Sequence, residues 1–119
     1  MIELSEHQIQ CQIVEYLRYK GTLCFAVPNG LYFNSKSKQA GASYMRKLKR
    51  EVFRPGASDL VIVYPDKVLW AEIKTHKGTL SGKQKEFRDE VEEIGYEYQV
   101  FRSLDEFIEW SEKKWTKQS

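Results

Sequence analysis

Asp59, Glu72 and Lys74 are the residues whose types and spacing could do chemistry. Glu72 and Lys74 lie two apart in Val68-Leu69-Trp70-Ala71-Glu72-Ile73-Lys74, a run that otherwise reads as an apolar strand. Residues two apart in a strand share a face. A carboxylate and an ammonium on one face of a largely buried strand are unfavourable unless they pair or meet a ligand. Asp59 opens the preceding strand, directly after a turn that contains Gly56. Two convergent carboxylates suit a hard, oxygen-seeking cation such as Mg²⁺. Such a cation lowers the pKa of a water and offsets charge on a phosphodiester. A lysine beside it can orient or deprotonate the attacking water, or stabilise the pentacovalent charge. An isolated Glu-x-Lys is common by chance and reads first as a salt bridge. Asp59 after a glycine turn shifts the balance toward a shared site.

Those residues meet only if the hairpin register allows it. Leu60-Val61-Ile62-Val63-Tyr64 reads as a buried strand, and Pro65-Asp66-Lys67 as the tight turn joining it to the strand of Glu72. Pairing Tyr64 with Val68 leaves Asp59 and Glu72 one step out of register. A two-residue loop, or one bulge, would set them opposite each other. The sequence alone leaves that choice open.

The remaining elements follow from caps and periodicity. Ser5-Glu6-His7-Gln8 is a capping box opening a helix to about Tyr19, with Ile9, Ile13, Tyr16 and Leu17 as its apolar stripe. Thr22 to Val27 reads as a buried strand, and Ser37 to about Arg50 has the composition of a helix. Ser81-Gly82-Lys83-Gln84 opens a further helix to about Ile94, Tyr98 to Phe101 a strand, and Ser103-Leu104-Asp105-Glu106 the last helix. The order α-β-α-β-β-α-β-α predicts an α/β domain on a central mixed sheet flanked by helices. With 119 residues, one domain spanning 1–119 is expected.

Composition narrows the setting. No apolar run approaches the length of a membrane span, and the start of the chain lacks a signal-peptide pattern. A cytoplasmic protein is expected. Cys11 and Cys24 form neither a disulfide framework nor a zinc spacing, and read as small core residues. The net charge is only +2, but it is polarised. Seven basic residues lie between Lys36 and Arg54, opposed by Glu51; ten acidic residues lie between Glu86 and Glu112, opposed by Arg88 and Arg102. That polarity suits a polyanion on one side, and equally describes ordinary solvated helix faces. Trp70 and Trp110 fit core positions better than base-stacking ones, and His7 and His76 are weak ligand candidates.

Glu6 and Gln10, Pro28-Asn29, Gly56-Ala57-Ser58-Asp59-Leu60, Glu72-Ile73-Lys74, Gly78-Thr79-Leu80-Ser81 with Gln84, then Gly95 and Val100 form an ordered set. From about Ser5 to about Trp110 the chain resembles the VRR-NUC branch of the PD-(D/E)XK nucleases, small nucleases found alone in phages and fused to larger DNA-repair proteins. Ser58 stands where many members have proline, and no Val-Arg-Arg run is present. The resemblance implies a restriction-endonuclease-like fold and an Mg²⁺-dependent endodeoxyribonuclease, with Mn²⁺ as a substitute. It implies Asp59, Glu72 and the Ile73 carbonyl as metal ligands, and Lys74 acting on the water. Glu6 would approach as an outer or water-mediated ligand, and Gln84 would orient Lys74 or a phosphate. Local chemistry offers simpler roles for both: Glu6 as a first-turn acid facing the helix dipole, Gln84 as a cap. DNA contacts would come from Asn29, Lys36, Lys38, Arg46, Lys47, Arg54, His76, Lys77 and Lys83. Stand-alone members resemble four-way (Holliday) junction resolvases acting as homodimers. A non-catalytic DNA-binding module, or a nuclease subunit of a larger complex, is the alternative.

Overall fold

The computed structural model describes residues 3–28 and 54–116, with side chains as far as 113. The predicted helix from Ser37 to Arg50 lies outside the described residues. Helix α1 spans Glu6–Tyr19, β1 Leu23–Ala26, β2 Leu60–Val63, β3 Val68–Ile73, α2 Gly82–Glu93, β4 Glu97–Phe101 and α3 Leu104–Thr116. The strands form one mixed sheet in the order β1-β2-β3-β4. The first two pairings are antiparallel and β3 with β4 is parallel. The short connection after Val63 joins β2 and β3 as an antiparallel hairpin, residues 27–59 separate β1 from β2, and β3 reaches β4 through the α2 crossover.

Both α1 and α2 begin with the predicted capping boxes. Ser5 accepts the Gln8 amide while the Gln8 side chain accepts the Ser5 amide, and Ser81 and Gln84 repeat the exchange. Two of the orphan N–H groups of each helix start are thereby satisfied. Alternation then divides the sheet. Leu60, Ile62 and Tyr64 of the β2 arm, Leu69, Ala71 and Ile73 of β3, and Phe101 of β4 join Ile9, Ile13 and Leu17 of α1 and Phe107 of α3 in one core. The other face carries Trp70 and Tyr98, which pack edge-on against Phe87 of α2. The result is a central mixed sheet flanked by helices on both faces, a restriction-endonuclease-like α/β fold.

Three sequence expectations change. β1 is not buried: it is the outer strand, and Leu23 and Phe25 are exposed. Its apolar run packs mainly through Cys24, which is partly buried against the core. Cys11 is not a core residue either; it is exposed on α1, with its thiol near the His7 ring. The hairpin is tighter than the Tyr64–Val68 pairing. Tyr64 and Lys67 exchange both backbone hydrogen bonds, so Pro65 and Asp66 alone form the loop. Val63 therefore faces Val68, and Leu60 faces Ala71.

Candidate active site

The two-residue loop decides the register question. Extending the Leu60–Ala71 pairing by one step sets Asp59 directly opposite Glu72. Tyr64 and Lys67 form a hydrogen-bonded pair, so alternate positions along the ladder, the Asp59–Glu72 step included, are non-hydrogen-bonded. There the opposing side chains approach closest. The Asp59 carbonyl is taken by the Val27 amide of the β1 side at 2.9 Å. The Asp59 carboxylate then turns back to its own hairpin partner: its Oδ2 accepts the Ile73 amide at 2.8 Å. By the alternation of the ladder that amide would otherwise go to the carbonyl of Ser58. One aspartate oxygen thus replaces a ladder bond and is locked against β3.

Glu72 stands on the α2 face of β3 and is 1% exposed. Its Oε2 accepts a hydrogen bond from Gln84 Nε2 at 3.1 Å. Its Oε1 is buried and has no hydrogen-bond partner among the described residues. Burial first, then the Asp59 carboxyl beside it, pushes the Glu72 carboxyl up to about 9; Lys74 pulls down and Glu6 adds to the rise. Like charges directly opposite across a ladder destabilise a sheet. Here burial and the facing Asp59 carboxyl both favour the neutral form of Glu72.

Lys74 continues along the same face, partly buried, and is in no ion pair among the described residues. The simple salt-bridge reading of Glu-x-Lys therefore does not describe this site. Gln84 fills two roles at once. Its Oε1 accepts the Ser81 amide at 2.8 Å, while its amide nitrogen holds Glu72. Its side chain therefore carries the capping role and also contacts the carboxylate. Glu6 is exposed in the first turn of α1. It reaches Glu72 through its field, and no cluster of three acidic, histidine or cysteine ligands forms among the described residues.

Gly56 joins the Asp59 loop to α2. The Arg54-Pro55-Gly56-Ala57 turn closes with the Ala57 amide on the Arg54 carbonyl, and Gly56 has φ +85°. Proline second and a positive-φ glycine third are what a type II turn requires. A Cβ on Gly56 would lie 2.4 Å from the Lys83 carbonyl carbon and 2.8 Å from the Gln84 amide nitrogen. The turn therefore sits on the backbone that presents Gln84.

The expected DNA contacts separate. Arg54 is turned onto α2, paired with Glu90 and lying over the Phe87 ring. His76, Lys77 and Lys83 are exposed, and Lys83 also pairs with Glu86. Asn29, Lys36, Lys38, Arg46 and Lys47 lie outside the described residues. Tyr98 entered the sequence reading only as a strand residue, not as part of the site. It is buried opposite Trp70, its hydroxyl lacks a partner among the described residues, and burial followed by the Glu72 and Asp59 charges pushes its phenol up. Its aromatic strand position signalled core, and only the β3–β4 register brings it near the carboxylates.

Comparison with known proteins agrees with this architecture. A solved structure of a VRR_NUC domain protein superposes with a TM-score of 0.62 at 20% identity, covering 95% of this chain and 89% of that one. A search of curated proteins finds no match. The model of the VRR-NUC domain, a nuclease-type domain, matches residues 4–105, which takes in α1, the carboxylate hairpin, α2 and β4. The chain belongs to the VRR-NUC family.

Proposed function

We propose that this chain is a metal-dependent endonuclease that hydrolyses DNA phosphodiester bonds at the Asp59–Glu72–Lys74 site. The observation that carries the reading is the opposed carboxylate pair, with Glu72 Oε1 buried and unsatisfied. A buried carboxylate atom without a partner is unfavourable. A divalent cation satisfies it and removes the repulsion from Asp59. The donor set is all oxygen, which fits Mg²⁺ or Mn²⁺. Asp59 and Glu72 would hold the ion, with the Ile73 carbonyl between them in sequence as a further oxygen. When bound, the ion would supply an activated water and charge neutralisation at the phosphate.

The protein's own groups do the rest. The Ile73 amide and the Gln84 side chain fix the two carboxylates before the ion arrives, so little reorganisation remains for the transition state. Lys74, unpaired among the described residues, orients the attacking water and stabilises charge on the phosphoryl oxygens. Glu6 adds negative potential from the α1 start and would hold an outer-shell water. His76, Lys77 and Lys83 contact the DNA backbone, which makes binding salt-dependent. Asn29, Lys36, Lys38, Arg46, Lys47 and Arg54 are assigned to the same backbone contact on charge and sequence position. No base-reading helix is expected, so selectivity would follow DNA shape. Two copies related by a two-fold axis would place two equivalent sites on a four-way junction.

Incubation with single-stranded, duplex, flap and four-way DNA tests this, in Mg²⁺, Mn²⁺ or chelator. The parent cuts only with metal, Asp59→Ala and Glu72→Ala lose cleavage, and Lys74→Ala falls to a small residual rate. Equal cutting by those variants would remove the site assignment. Absence of cutting under every metal would favour a DNA-binding module.

A further inference from the structure

Arg102 follows the last residue of β4 and reaches across to the segment just beyond Lys74. Its Nη1 donates to the Thr75 carbonyl at 2.7 Å and to the Gly78 carbonyl at 2.6 Å. Those carbonyls belong to the first and last residues of a four-residue turn, closed by the Gly78 amide on Thr75 O at 3.1 Å. One guanidinium nitrogen therefore ties both ends of the turn. Hydrogen bonds from a charged donor are short and roughly twice as strong as neutral ones. Arg102 is in no ion pair among the described residues, so its charge is spent on these backbone dipoles.

The turn in turn supports Lys74. A Cβ added to Gly78 would lie 3.3 Å from Lys74 Cδ, so the lysine stem runs along the glycine. The Lys74 amide donates to the Phe101 carbonyl at 3.1 Å. Consecutive residues of one segment thus fix the Lys74 backbone and the surface under its side chain. Between the two clamped carbonyls stand His76 and Lys77, both exposed.

We propose that Arg102 is a positioning residue for the nuclease site: by clamping the 75–78 turn it holds the Lys74 side chain along Gly78, aimed at the Asp59–Glu72 pair. The inference rests on the nuclease reading for its catalytic consequence. A lysine with four rotatable bonds loses much freedom on ordering, and the clamp holds that freedom down before substrate binds.

The test is a double-mutant cycle read in single-turnover cleavage at saturating DNA and Mg²⁺, with Arg102→Ala, Lys74→Ala and both together. Arg102→Ala should lower the rate about 10- to 100-fold, by analogy with the outer-shell partners that orient metal ligands, with DNA affinity changed far less. In the Lys74→Ala background it should have little further effect, because interacting residues are non-additive. Arg102→Lys should recover part of the rate. Loss of the same factor in both backgrounds, or a parental rate in Arg102→Ala, overturns the proposal. The εCH₂ resonance of Lys74, assigned by its loss in Lys74→Ala, gives a readout free of cleavage. Arg102→Ala should shift or sharpen it. If the parent cuts no DNA yet that resonance responds, the nuclease reading falls and the clamp stands. If the parent cuts and neither rate nor resonance responds, the clamp alone falls.

Discussion

Replacing Glu72 with glutamine should give the metal-free protein a stability advantage over the parent that grows as pH rises, while ending cleavage. The variant keeps both neighbours: its amide oxygen can accept from Gln84, and its NH₂ can donate to the Asp59 carboxyl beside it. Burial and the Asp59 carboxyl push the parent carboxyl up to about 9 when folded, against an ordinary value of 4.5. A folded-state value raised in this way contributes stability that is whole below about 4.5 and is lost as pH climbs toward 9. The window is therefore neutral to alkaline, not acid. At roughly 1.4 kcal/mol per unit, the nominal loss between pH 5 and 8 approaches about 4 kcal/mol. Partial solvation of the pair reduces that to on the order of 2–4 kcal/mol, or roughly 8–15 °C in Tm for a domain of this size. Glutamine has no such titration. Thermal melts at pH 5 and pH 8, in chelator and in Mg²⁺, read the difference. The gap between Glu72→Gln and parent should widen with pH in chelator. Mg²⁺ should raise the parent's Tm and leave the variant's nearly unchanged. A gap that is constant in pH, or equal stabilisation of both proteins by Mg²⁺, refutes the reasoning.

Other perturbations follow from the same geometry. Asp59→Ala removes the acceptor of the buried Ile73 amide and should cost about 1–3 kcal/mol in denaturant melts, in addition to abolishing cleavage. Gly56→Ala forces both a strained positive φ and a clash with the α2 start; it should destabilise by more than about 1 kcal/mol and lower cleavage together with Tm. Lys77→Ala should leave the cleavage rate at saturating DNA near parental, while the slope of log affinity against log salt falls by about 1.

The helices were legible because each carries its own punctuation. Ser5 with Gln8 and Ser81 with Gln84 announce two helix starts, and the structure closes both capping boxes as read. The mixed sheet followed from a hairpin joined to a helical crossover. β1 misled because Leu23, Phe25 and Val27 are as apolar as a central strand, and an edge position is set by topology, not composition. The carboxylate register turned on one residue of loop length, which the strong turn residues Pro65 and Asp66 leave ambiguous with Lys67 beside them. Arg102 and Tyr98 gave no signal. Their importance comes from β4 lying parallel to β3, a pairing between segments far apart in sequence.

The two carboxylates facing each other are unequal in what the fold owes them. Asp59 closes the ladder by holding the Ile73 amide, whereas Glu72 is a burden wherever no cation is present. A descendant relieved of selection for cleavage would gain stability by changing position 72 and lose it by changing position 59. Decay of the site should therefore run in one direction, with the glutamate drifting first and the aspartate persisting as a relic of architecture.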